Sequence, residues 1–67
     1  MDLWGEVGKT AGNIYTSFVN KGEVPVVLVR KQLGDKAMVD MGLGWLAREG
    51  KLQIKQKGKA TVVKILP

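Results

Sequence analysis

The stretch Glu23-Val24-Pro25-Val26-Val27-Leu28-Val29-Arg30-Lys31-Gln32-Leu33-Gly34-Asp35-Lys36 decides the fold. Pro25 pushes Val24 out of the α region into an extended conformation. Pro25 itself suits the first turn of a helix, where its missing N–H costs nothing. A helix is therefore expected over residues 25–33. Gly34 stops it, and Asp35 can cap the next one. That next helix covers residues 36–49 and closes on Gly50, with Val39, Gly42, Leu43 and Leu46 as its inner stripe. Two helices joined through so short a turn make a helix-turn-helix.

Upstream, apolar residues fall at Leu3, Val7, Ala11, Ile14 and Phe18, with Tyr15 beside them. Steps of three and four mark one face of a helix, expected over residues 3–20 and ended by Lys21-Gly22. Gly8 and Gly12 share a face of that helix, a weak signal of close backbone approach. Downstream of Gly50 the period changes to two. Leu52 and Ile54 alternate with Gln53 and Lys55, and Thr61, Val63 and Ile65 alternate with Val62 and Lys64. Lys57-Gly58-Lys59 supplies the turn, so a hairpin is expected with strands at 52–56 and 60–66. Its two faces are one apolar and one basic. The order of elements is that of an α+β winged helix-turn-helix, three helices followed by a β-hairpin wing, and it leaves open a short strand near Val24. The expected core is Val7, Ala11, Ile14, Phe18, Val29, Leu33, Val39, Leu43, Leu46, Ile54, Val63 and Ile65.

Composition bounds what such a domain can do. The chain has 67 residues, with 45% hydrophobic and 25% charged, an ordinary globular balance. This length suits one domain over residues 1–67 with a thin core. The sequence has no cysteine and no histidine. That excludes a disulfide framework, a thiolate zinc site and an imidazole base. Tyr15, Ser17 and Thr10 have no base to activate them, and no carboxylate spacing suggests acid–base work, so an enzyme is not expected. No cofactor or small-molecule ligand is indicated. The longest apolar run, Val24 to Val29, is broken by Pro25 and far short of the roughly 20 residues of a membrane span. The acidic start Met1-Asp2-Leu3-Trp4-Gly5-Glu6 has no basic or apolar export region, so a cytoplasmic location is expected.

A second resemblance is more specific than the element order. Gly42-Leu43-Gly44-Trp45-Leu46-Ala47-Arg48-Glu49-Gly50-Lys51 resembles the hallmark of a family of small prokaryotic winged helix-turn-helix proteins of uncharacterised function. So do Thr10-Ala11-Gly12-Asn13-Ile14-Tyr15 and Lys21-Gly22-Glu23-Val24 upstream. The resemblance covers nearly the whole chain and implies the fold and a single domain. Function comes with it only by analogy between folds. The chain departs from the family in its second helix, where outward positions are usually polar. If Val26, Val29 and Leu33 face inward, Val27 and Leu28 face out.

Charge points to a partner. Lys9, Lys21, Arg30, Lys31, Lys36 and Arg48 cancel Asp2, Glu6, Glu23, Asp35, Asp40 and Glu49 up to residue 50. Lys51, Lys55, Lys57, Lys59 and Lys64 then carry the whole formal +5 with no acid among them. One-sided charge of this kind suits a polyanion. The wing lysines Lys55, Lys57 and Lys59, with Lys51 and Lys64 on the strands, are therefore expected to contact the phosphates of double-stranded DNA. Lysine positions a duplex without reading its bases. Edge lysines also protect a hairpin against aggregation, and the two roles are compatible. In winged helices the third helix usually enters the major groove. Its outward residues here are Lys36, Ala37, Asp40, Met41 and Gly44, of which only Lys36 suits base readout, while Asp40 repels phosphate. Low sequence specificity is expected. Trp45 lies off the inner stripe and is expected to cover the core edge or an interface. The alternative function is protein interaction or homodimerisation, with Trp4, Val27 and Leu28 as interface residues.

Overall fold

The computed structural model describes residues 3–67, with side chains described from Trp4 onward. Its elements are α1 (Leu3–Phe18), β1 (Glu23–Pro25), α2 (Val26–Leu33), α3 (Lys36–Arg48), β2 (Leu52–Lys57) and β3 (Ala60–Ile65). The backbone of Leu3 opens α1, while its side chain, the first of the apolar stripe, lies outside the described residues.

Local chemistry sets the boundaries. The α1 helix stops at Phe18, short of the expected residue 20, because Asn20 takes a left-handed φ of 63°. Pro25 sits one position before α2 rather than inside it, with φ −62° and ψ 138°. At the other end of α2, Gly34 adopts φ 87° and its N–H donates to the Arg30 carbonyl at 2.7 Å. A side chain there would be strained, which is why glycine marks the turn. Asp35 caps α3 as expected, its carboxylate accepting from the Met38 N–H at 3.1 Å.

The three strands form one antiparallel sheet in the order β1-β3-β2. Val24 pairs with Val63, so the short strand near Val24 is real. Leu52 pairs with Ile65, Ile54 with Val63 and Lys57 with Ala60. Gly58 and Lys59 form a two-residue loop with Gly58 at φ 60°, the position where a tight hairpin loop needs glycine.

The helices cover one face of the sheet. Ile14, Val29, Val39, Val63 and Ile65 are fully buried where α1, α2, α3 and β3 meet. Burying a side chain of this size stabilises by about 1.5–3 kcal/mol relative to exposure. The close approach between α1 and α3 occurs at Gly42. A Cβ there would lie 3.0 Å from Ile14 Cδ1 and 3.3 Å from the Ala11 nitrogen. Gly8 instead faces the Trp45 ring, and Gly12 has nothing within 4 Å.

Ile54 corrects the expected core, since it is 60% exposed. Its register with Val63 does place it on the helix-facing side. However, only Leu52 of β2 is buried and the rest of this edge strand runs on exposed, so Ile54 lies beyond the helices' cover. Leu33 is half-buried against the core rather than inside it. Val24, Val26, Leu52 and Val62 are buried in addition to the expected set.

Candidate nucleic-acid interface

Two surfaces carry the expected contacts, and β-strand alternation builds the first. With Leu52, Val63, Ile65 and Val24 turned toward the helices, the other face of the sheet presents Gln53, Lys55 and Lys57 from β2. Val62 and Lys64 come from β3, and Glu23 and Pro25 from β1. Lys59 sits in the loop. The structure thus brings Lys55, Lys57 and Lys64 to one face with Lys59 at its tip.

That face also holds a carboxylate that is distant in sequence. Glu23 reaches across β3 to both lysines of β2. Its Oε2 lies 3.3 Å from Lys55 Nζ, and its Oε1 pairs with Lys57 Nζ. The two lysines hold the Glu23 carboxyl below its usual range, Lys57 contributing most and Lys55 next. The bridges roof over Val62, the register partner of both Lys55 and Pro25. Lysine stems covering apolar surface account for a buried valine on the outward face. The acid-free charge of residues 51–67 is therefore partly offset by the fold. Among the described residues, Lys59 and Lys64 take part in no ion pair.

The second surface is the outer side of α3. Lys36, Ala37, Asp40, Met41 and Gly44 are all exposed, as the helical period requires. Asp40 is not a free acid. Arg30 of α2 grips it through two hydrogen bonds of 3.0 Å, Nε to Oδ1 and Nη2 to Oδ2. This bidentate bridge ties α2 to α3 and cancels the charge of Asp40 on the outer face of α3. Arg48 also lies exposed on that side. Arg48 is not among the outward residues expected from the sequence, although the spacing Ala37, Met41, Gly44, Arg48 follows one helical stripe and would have placed it there.

The remaining expected residues lie apart. Lys51, before the base of β2, sits with its Nζ 5.4 Å from the centre of the Tyr15 ring on α1. It faces α1 rather than the wing tip. Trp4 is 74% exposed and meets Trp45 edge to face, with ring centres 5.3 Å apart. Together with Val7, Met41, Gly44, Arg48 and Glu49 they line an open groove of about 490 Å³ between α1 and α3. Val27 and Leu28 are exposed on α2, and Leu28 shares a shallow groove with Phe18 at the far end of α1. Fourteen α-helical steps, at about 1.5 Å each, separate Trp4 from that end. Trp4 and the Val27–Leu28 pair thus form two patches.

No helix among the described residues is long and apolar enough to cross a membrane. A family model described as "Winged helix-turn-helix domain (DUF2582)" matches residues 1–65. An uncharacterized protein of Methanocaldococcus jannaschii is 37% identical over 68 residues, covering 96% of this chain and 96% of that protein.

Proposed function

The chain belongs to the winged helix-turn-helix family DUF2582, and from that premise we propose that it binds double-stranded DNA with little sequence preference. The observation that carries this reading is the basic wing. Lys55, Lys57, Lys59 and Lys64 share one strand pair that projects past the helices, and Glu23 is the one carboxylate paired there among the described residues. Lysines on a protruding hairpin suit phosphates. Lys36 and Arg48 on α3 add charge along the same molecule, and Lys51 contributes from the hairpin base. The side of α3 that would meet the bases is short of readers. Ala37, Met41 and Gly44 offer no hydrogen bonds, and Asp40 is held by Arg30. Affinity should therefore fall in the non-specific range of about 10⁻⁴ to 10⁻⁶ M at physiological salt.

A salt titration tests this. With three to five phosphates neutralised, log affinity falls against log salt with a slope of roughly −3 to −4.5, alike for unrelated sequences. No affinity at low salt would refute the reading.

Exposed apolar surface favours a second reading, homodimerisation or protein interaction. Val27 is 70% exposed on α2, and Trp4 stands out on α1. They are two separate patches, of which the adjacent Val27 and Leu28 are the contiguous one, and contiguous exposed apolar surface is a common interface mark. Sedimentation at high protein concentration tests it, and a clean monomer would count against self-association.

A further inference from the structure

We propose that Glu23 is an internal competitor for the wing, a carboxylate occupying the place that a phosphate of a bound polyanion would take between Lys55 and Lys57. This rests on the phosphate-binding role argued for the wing and adds a residue that limits it. The geometry is specific. Glu23 lies on β1 and the two lysines on β2, separated by β3. Adjacent strands lie about 4.8 Å apart, so the acid and the amines start about two strand spacings from each other. They meet because all three side chains leave the same face and converge above Val62. Two lysines at alternate positions of one strand contact the two oxygens of a single carboxylate, one each. A phosphate offers the same pair of anionic oxygens on a tetrahedral centre.

Competition follows from the exposures. The lysine side chains are 61% and 62% exposed, whereas that of Glu23 is 28% exposed. The ammonium groups lie on the solvent side of the clamp, with the carboxylate less exposed between them. A phosphate approaching the wing meets a negative charge already paired with Lys55 and Lys57, and must draw the lysines off it. Lys59 in the loop and Lys64 on β3 are in no such pair among the described residues. They are the wing cations available first.

Replacing the acid by its neutral isostere separates competition from positioning. Glu23→Gln should bind duplex DNA about tenfold tighter at 0.1 M salt and steepen the salt slope by about one, as one more phosphate becomes neutralised. Glu6→Gln makes the same change in net charge on α1 with the clamp intact, and should gain much less. Sodium tripolyphosphate serves as a second probe, followed through the backbone amide resonances of Lys55, Lys57 and Lys59. It too should bind Glu23→Gln more tightly than the unmodified protein. Tighter tripolyphosphate binding without any duplex binding would refute the DNA reading and leave the competitor standing. Equal or weaker binding of both probes by Glu23→Gln, relative to Glu6→Gln, would overturn the proposal. It would show that the carboxylate positions the lysines or does nothing. Failure of both probes to bind any of the proteins would overturn it as well.

Discussion

The helix-turn-helix face and the wing treat their carboxylates differently. On the first, Arg30 and Asp40 close a one-to-one bridge with two hydrogen bonds, so those charges cancel locally and leave Lys36 and Arg48 at the two ends of α3. On the wing, one carboxylate is shared by Lys55 and Lys57, while Lys59 and Lys64 stay outside the arrangement among the described residues. A balanced pair fixes the angle between two helices. An unbalanced cluster leaves charge for a partner. Net charge alone does not distinguish these cases, because Glu23 and Asp40 count equally in it.

The largest expected effect tests which region holds the duplex. Replacing Lys55, Lys57 and Lys59 together by glutamine should flatten the salt slope by about 2.7 and leave little binding at physiological salt. Lys36→Gln on α3 should change the slope by about 0.9 at most. A larger loss from Lys36 than from the wing would reverse the comparison and make α3 the main contact.

Stability separates the two regions as well. The inner side of α3 is packed against α1, whereas the wing is open. Gly42→Val forces new atoms into a gap already 3.0 Å from Ile14, and overpacking of this kind costs about 1–3 kcal/mol. Ile54→Thr on the exposed part of β2 should stay within about 0.5 kcal/mol. Urea unfolding of both variants checks the contrast. An Ile54 variant as damaging as the Gly42 variant would mean that the hairpin is covered in solution, as by a second copy.

How much of this could be read from the sequence depended on distance along the chain. Helix caps and the hairpin loop are local, so Asp35, Gly34 and Gly58 announced their roles directly. The alternation of β2 put Ile54 on the correct face. It could not tell that β2 leaves the core after Leu52, which is why Ile54 is exposed. The helical period puts Gly42 on the inner stripe, but its role as the α1–α3 contact depends on the helix crossing. The candidate interface was harder to see. The wing lysines form a visible cluster, yet Glu23 stands more than thirty positions before them and joins them only through the order β1-β3-β2. Arg30 and Asp40 likewise lie ten apart and meet only because α2 and α3 pack.

The Arg30–Asp40 bridge should have a smaller effect than the core. Its side chains are 35% and 41% exposed, and pairs at such sites couple by about 0.2–1 kcal/mol, with bidentate geometry favouring the upper end. A double-mutant cycle with Arg30→Ala and Asp40→Asn measures it. Asp40→Asn also frees Arg30 beside the outer side of α3, so duplex affinity should rise if α3 approaches the phosphates. An unchanged affinity would leave the wing as the sole contact.

The smallest effect concerns pH, and its sign follows from Glu23. The carboxyl is held below its ordinary value of 4.5 by Lys57 and Lys55 from β2, with Lys64 beside it in register on β3. A lowered value in the folded state means that the charged form is favoured by folding. The contribution is therefore fully present above 4.5 and disappears as pH falls through the lowered value. The chain has no histidine, and the Glu23 carboxyl, held below 4.5, stays charged between about pH 5.5 and 7. The stability difference between the unmodified protein and Glu23→Gln, measured by urea midpoints, should be constant across that interval and shrink only in acid. The ratio of their duplex affinities should be equally flat there. A ratio that changes between pH 5.5 and 7 would show that Glu23 does not hold its charge against the lysines in solution. The contrast between a balanced bridge on the helices and a shared carboxylate on the wing would then fail.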